Sequence, residues 1–260
     1  MKLRSTEVGL KREVNALYQR AFFQYIELYM VPATYDETSA VWKSLGIPMI
    51  IHAPHSLDGV NLADYRLRKS NQEVYEEVKR FSDRISASII IVHGGCDGAL
   101  EEVIDQLRLI NDARIWIENK PLKGLNGEVC LGCSPEELKR IFDEEVVTGS
   151  VLDFGHAVCA AQSFGLDHLE MIDRFMKFNP MLFHVSDGDR NSEKDVHLNL
   201  GKGDLNIKKF FSVIPDKGMV TLETPRGEKP GLLDFVDDVS YLSEHIQLDL
   251  HLTDDAKRRF

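Results

Sequence analysis

The stretch SIIIVHGGCDGALEEVIDQLRLINDARIWIENK, Ser88–Lys120, holds the plan of the chain in one period. Its two ends, SIIIVHGG and ARIWIENK, are short runs of β-branched and aromatic residues, the composition of buried strands. Between them ALEEVIDQLRLI sets Leu100, Val103, Ile104, Leu107 and Ile110 at helical spacing, so one face of a helix is apolar. Strand, helix, strand over so short a span implies two parallel strands joined by a crossover helix. Each strand also stops at an ionisable side chain, His93 in the first and Glu118 in the second.

The same unit recurs in both directions. FQYIELYM, PMIIHAP, GSVLDFGHA, PMLFHVSD and GMVTLETP complete seven strands, and the polar KLRST near the start is the eighth, first in order. Amphipathic stretches alternate with them: LKREVNALYQRA, NQEVYEEVKRFSDRI, SPEELKRIFDEE, DHLEMIDRFMKF, IKKFFSVI and LLDFVDDVSYLSEHI. No low-complexity linker or break in composition divides the 260 residues. Eight β/α units at this length fit a closed (β/α)8 barrel better than an open sheet, so residues 1–260 are read as a single α/β domain. In such a barrel the working side chains gather at the C-terminal ends of the strands.

Composition limits the class. No apolar run approaches the roughly 20 residues that span a bilayer, and the first residues, MKLRSTEVGLKREV, lack an apolar signal segment, so a cytoplasmic location without a membrane is expected. A net charge of −11 disfavours nonspecific attraction to nucleic acid, although a carboxylate-built metal site inflates that count. Four cysteines make no disulfide framework. Cys130 and Cys133 in CLGC lack the second pair that a structural zinc site needs and read as an inert loop pair, while Cys96 and Cys159 lie beside better ligands. Ser134-Pro135-Glu136-Glu137 reads as a helix-capping box, which makes that serine structural.

Strand ends carry the chemistry. His52 and His55, His93, Glu118, Asp153 and His156, His184 and Asp187, and Glu223 all stand where an apolar run stops. One histidine there is an ordinary hydrogen-bonded residue. A whole set at equivalent ends would be aimed at one point by a barrel, and so many buried carboxylates call for cations. In DVHLNLGKGDL, Asp195 and His197 share a side if the segment is extended, and both could reach one ion; the plainer alternative is a carboxylate orienting an imidazole. Gly201 and Gly203 are expected to permit a sharp turn before a helix starting near Asn206.

These residues resemble the xylose isomerase-like TIM barrels and, within them, endonuclease IV, the metal-dependent enzyme that cuts DNA at abasic sites. The resemblance rests on HAPHSLDGVNLA, VHGG, IENK, DFGHAVCAA, FHVSD, DVHLNLGKG and LETP, in that order. It implies nine metal ligands: His52, His93, Glu118, Asp153, His156, His184, Asp195, His197 and Glu223. It further implies up to three zinc ions, with manganese or iron also accepted by such donors. The first would be held by His52, His93 and Glu118, the second by Glu118, Asp153, His184 and Glu223, the third by His156, Asp195 and His197. The implied activity is phosphoester hydrolysis, with abasic nucleic acid or a small phosphorylated compound as substrate.

Departures point to weaker duplex binding. His55 and Ser56 stand where endonuclease IV carries a tyrosine and a leucine that enter the DNA, and VPATYDET lacks its intercalating arginine. The alternative from the same superfamily is a sugar or sugar-phosphate isomerase or epimerase: Glu118, Asp153, His184 and Glu223 hold one ion, and the catalytic pair Glu118 and Glu223 exchanges protons through an enediolate. His55, Arg190 and Arg226 are the candidate substrate-binding residues under either reading. No protein partner is indicated. A barrel that binds metal without catalysis is a third possibility, against which the complete ligand set argues.

Overall fold

The computed structural model describes residues 1–246. Among the described residues eight strands pair in parallel and in chain order: β1 (Lys2–Arg4), β2 (Ile26–Tyr29), β3 (Met49–His52), β4 (Ile90–His93), β5 (Ile115–Glu118), β6 (Gly149–Asp153), β7 (Leu182–Val185) and β8 (Met219–Leu222). They form the nearly closed wall of a (β/α)8 barrel. Side chains span the gap between its first and last strands: Lys2 of β1 pairs with Glu223 just past β8, and the hydroxyl of Tyr25, at the start of β2, lies 2.7 Å from that of Thr221 in β8. The polar KLRST is indeed the first strand.

Outside the wall lie α1 (Lys11–Gln19), α2 (Tyr35–Lys43), α3 (Arg68–Ile85), α4 (Leu100–Ile110), α5 (Pro135–Asp143), α6 (Phe154–Phe164), α7 (His168–Met176), α8 (Ile207–Val213) and α9 (Leu233–His245). Two of them lie outside the expected set. α2 is short and only mildly amphipathic, whereas α6, FGHAVCAAQSF, buries every side of its first two turns and so has no polar face for periodicity to detect. His156 therefore stands in the first turn of a helix, with Asp153 as its N-cap: the Asp153 carboxylate accepts from the His156 backbone N–H at 2.7 Å. Ser134 caps α5 as expected. No described helix is long and apolar enough to cross a membrane.

Two apolar cores follow from strand alternation. Leu28, Ile51, Ile90, Val92, Ile117 and Phe183 face outward into the layer under the helices. Tyr25, Ile50, Ile91, Val151 and Leu182 face inward and plug the barrel. Each fully buried side chain of this size contributes about 1.5–3 kcal/mol.

The pairing register then decides what lies above the plug. Lys2 is level with Glu27, but Glu27 pairs with Ile50, so His52 stands two residues higher. Likewise His52 pairs with Ile91 below His93, Glu118 with Val151 below Asp153, and His184 with Thr221 below Glu223. His93 is level with Glu118, and Asp153 with His184. Every offset is even, so parity is kept and all eight side chains face the axis. The seven pairings from β1 to β8 thus contain four two-residue steps, all in one direction, as a staggered (β/α)8 barrel requires.

Candidate metal centre

Each strand thus delivers one ionisable side chain to the same opening: Lys2, Glu27, His52, His93, Glu118, Asp153, His184 and, just past β8, Glu223. Glu118 is the hub. Its Oε2 lies 3.2 Å from His52 Nε2, 3.0 Å from His93 Nε2 and 3.5 Å from His184 Nδ1, and its Oε1 lies 3.1 Å from His156 Nδ1. His184 Nδ1 is also 2.8 Å from Glu223 Oε1 and 3.9 Å from Asp153 Oδ2.

The Asp195–His197 segment reaches this centre from a loop. His197 Nε2 lies 2.5 Å from Asp195 Oδ2, and the same oxygen is 3.3 Å from His156 Nε2. Asp187 holds that loop in place. Its carboxylate accepts from the backbone N–H groups of Gly188, Gly201, Gly203 and Leu205, at 2.9–3.1 Å, which makes it a structural anchor and removes it from the ligand candidates. The glycines are required there: Gly201 has φ +79°, and a Cβ on Gly203 would stand 2.2 Å from the Gly188 carbonyl oxygen.

Electrostatics reflect the crowding. Burial works against the charged form of Glu118, but His93 and His184 outweigh it and hold its carboxyl well below the usual range. Burial opposes the imidazolium of His184, yet Glu223, Glu27 and Glu118 raise it well above the ordinary value. Asp153, with burial dominant, is pushed up. Burial and the neighbouring His93 and His52 drive His55 down, which leaves a neutral ring on the cavity wall, stacked on His93 at 4.6 Å.

Three observations bear on divalent cations. Donor atoms lie within 4.8 Å of one another in four sets: His52, His93 and Glu118; Glu118, His184 and Glu223; Asp153, His156 and His197; and Glu27, His52 and Glu223. Two buried atoms of these residues, His184 Nδ1 and Glu27 Oε1, have ion-pair neighbours in Glu223 and Lys2 but make no well-directed hydrogen bond. Finally, His52 and His156 direct Nδ1 at backbone carbonyls, Ala53 at 3.0 Å and Asn119 at 2.8 Å, which leaves Nε2 aimed inward as ligating histidines require. The residues fit divalent cations. The third set brings in Asp153 where the family resemblance implied Asp195, and the fourth brings in Glu27.

Glu27, Lys2 and Lys120 are site residues that sequence reading missed. Glu27 Oε2 is 2.9 Å from His184 Nε2, so this carboxylate turns the other ring nitrogen toward Glu118 and Glu223. Lys2 lines the cavity, pairing with Glu223 and lying 3.4 Å from Glu27. The two arginines are not brought in. Arg190 is exposed and held by Asp204 at 2.9 Å, and Arg226 binds Glu7 at 2.9 Å and the Lys2 carbonyl, because each finds a nearer oxygen outside the cavity.

The profile of the xylose isomerase-like TIM barrel family matches residues 17–245. The chain belongs to that family. Among its relatives is the uncharacterised protein MJ1614 of Methanocaldococcus jannaschii, 26% identical over 223 residues, 79% of this chain and 81% of that one. Endonuclease IV from Thermus thermophilus superposes with a TM-score of 0.67 at 21% identity, over 94% of this chain and 98% of the other. A D-tagatose 3-epimerase-like protein does so with 0.65 at 18% identity, over 95% and 96%. These likenesses support the fold equally.

Proposed function

We propose that this protein is a multinuclear metal-dependent phosphoester hydrolase whose substrate is small or single-stranded. The observation that carries the reading is the convergence of His52, His93, Glu118, Asp153, His156, His184, Asp195, His197 and Glu223 on one opening, more donors than a single ion needs. Bound divalent cations supply Lewis acidity and neutralise phosphate charge. The chain's own groups do the rest. Glu118 and Glu223 face the cavity as carboxylates that hold the charge of the centre, the neutral His55 ring offers one donor and one acceptor to a substrate oxygen, and Lys2 and Lys120 direct ammonium groups inward.

Size supports a small substrate. The cavity is about 400 Å³, the scale of small-molecule sites. Its rim carries the exposed aliphatic residues Leu57, Leu125 and Val196, and the loop of His55 and Ser56 carries no aromatic wedge. Leu57 is the aliphatic side chain that follows the expected wedge position.

One arrangement favours the second reading, a sugar or sugar-phosphate isomerase or epimerase. Glu118 and Glu223 flank His184 in a single donor set, as one-metal proton transfer would use them. The deciding experiment loads chelator-stripped protein with zinc or with manganese. It then assays abasic oligonucleotides, single-stranded and duplex, an activated phosphodiester, and ketoses in deuterated water. Phosphoester cleavage with little preference for duplex is expected. Carbon-bound deuterium without cleavage of any phosphoester would replace the hydrolase reading with the isomerase.

A further inference from the structure

Cys96 and Cys130 stand directly opposite each other in an isolated antiparallel bridge between two rim loops, residues 94–99 after β4 and residues 119–134 after β5. Hydrogen bonds flank the pair and do not join it: the Leu131 N–H donates to the Gly95 carbonyl at 2.9 Å, and the Asp97 N–H to the Val129 carbonyl at 2.8 Å. This is the non-hydrogen-bonded position of an antiparallel ladder, where opposed Cα atoms stand about 4.5 Å apart and their side chains share one face. Disulfides span Cα separations of roughly 4.4–6.8 Å, so the backbone holds this pair within bonding range.

Both cysteines are fixed from behind. The Asn61 side chain clasps Cys96, accepting from its N–H at 3.0 Å and donating to its carbonyl at 2.8 Å, and the Cys130 N–H donates to the Leu122 carbonyl at 2.9 Å. Both side chains line the cavity, Cys96 half-buried and Cys130 buried, so a small reagent that enters the mouth meets them. The other two cysteines are placed differently. Cys133 directs its thiol to the Glu137 carboxylate at 3.3 Å, Cys159 is buried in α6, and neither lines the cavity.

We infer that Cys96 and Cys130 are a dithiol site that closes to a disulfide and staples the loop after β4 to the loop after β5 at the cavity mouth. The oxidant is a small-molecule disulfide. Cys96, the more exposed of the two, loses its proton to solvent, and its thiolate attacks one sulfur of the reagent, forming a mixed disulfide and releasing one thiolate. Cys130 then loses its proton and displaces the second. Two cysteine thiols are thereby oxidised, the reagent is reduced to two thiols, and both protons end on those leaving sulfurs. Disulfide formation depends on neither bound metal nor the reaction, so its failure would leave the proposed activity untouched.

The test treats the full chain, kept in chelator, with oxidised glutathione, blocks remaining thiols by alkylation and maps the peptides by mass spectrometry. One link is expected, joining Cys96 to Cys130, with Cys133 and Cys159 alkylated. Trypsin cleavage after Lys123, in the stapled loop, should slow several-fold in the oxidised protein, because the staple suppresses local opening of that loop. Added dithiothreitol should restore the original rate. Cys130→Ala, and independently Cys96→Ser at the less buried position, should show no link and no change in cleavage rate under the same treatment. A link between Cys130 and Cys133, or glutathione retained on Cys96 with Cys130 still free, overturns the inference. Equal cleavage rates in linked and reduced wild type overturn the stapling.

Discussion

The floor of the cavity and its rim are built by different means. Floor residues such as His52, His93, Glu118 and His184 sit on strands, where a ladder of backbone hydrogen bonds sets their height and parity sets their direction. Rim residues sit on loops tied by scattered contacts: Leu131 N to the Gly95 carbonyl at 2.9 Å, Lys123 to Glu193 at 2.5 Å, Lys194 to the Leu125 carbonyl at 2.9 Å. A floor residue shifts only if the barrel shifts. The contrast predicts that chemistry depends sharply on the floor, while the rim tunes access and selection.

The largest expected effect tests the hub. Glu118→Gln keeps the shape but removes the charge that His52, His93, His156 and His184 surround. Divalent-metal affinity, measured by calorimetric titration, should fall by more than about 100-fold, beyond the range typical for residues that only orient ligands. Turnover should fall with it, and far-ultraviolet dichroism should be unchanged. Affinity within a few-fold of the wild type would remove Glu118 from the centre.

Glu27→Gln comes next and separates the orienting role from the ligating one. If Glu27 fixes the His184 ring, the variant should lose about 10- to 100-fold in metal affinity. A pH signature accompanies it. Despite burial, His184 and Lys2 hold the Glu27 carboxyl down at about 2, below its ordinary 4.5. A depressed carboxylate contributes stability above its unfolded value and loses that contribution as pH falls toward the folded one. Metal-free wild type should therefore lose more stability between pH 4.5 and 2 than Glu27→Gln, as judged by denaturant midpoints. Parallel curves would show that the Glu27–His184 pairing contributes nothing to the fold.

How much of this was legible follows the same division. His93 and Glu118 could be read because a polar residue ending an isoleucine run stands out, and recurrence at equivalent ends made the barrel legible too. Glu27 could not be read in the same way. FQYIELYM is apolar on both faces, so no alternation marks Glu27 as inward, and its direction emerges only from the pairing with Lys2 and Ile50. Lys2 lay in KLRST, which reads as the first strand, but its polar pattern does not mark which side chains face inward. Arg190 and Arg226 erred in the opposite direction: sequence places a guanidinium near a site but does not reveal that Asp204 or Glu7 is nearer. His156 was found as a residue and misplaced as structure, because the helix that carries it has no polar face.

The smallest expected effect belongs to the rim and is the one most able to break the contrast. Leu125 and Val196 line the opening with about half of their surface still exposed, 56% and 55%. Truncating both, Leu125→Ala with Val196→Ala, removes apolar area that a bound substrate would cover, worth about 0.8 kcal/mol per methylene-sized group at most. On whichever phosphoester the wild type cleaves, KM should rise within about tenfold while kcat stays constant, the pattern of binding energy shared equally by ground and transition states. The metal ratio should also stay constant. The two loops nonetheless meet, since Lys123 and Lys194 form a bridge, and the second loop carries Asp195 and His197. If the double variant instead loses kcat, or changes the affinity for metal, the rim loops would be setting the position of Asp195 and His197 against His156, and the division between a rigid floor and a permissive rim would have to be drawn below that pair.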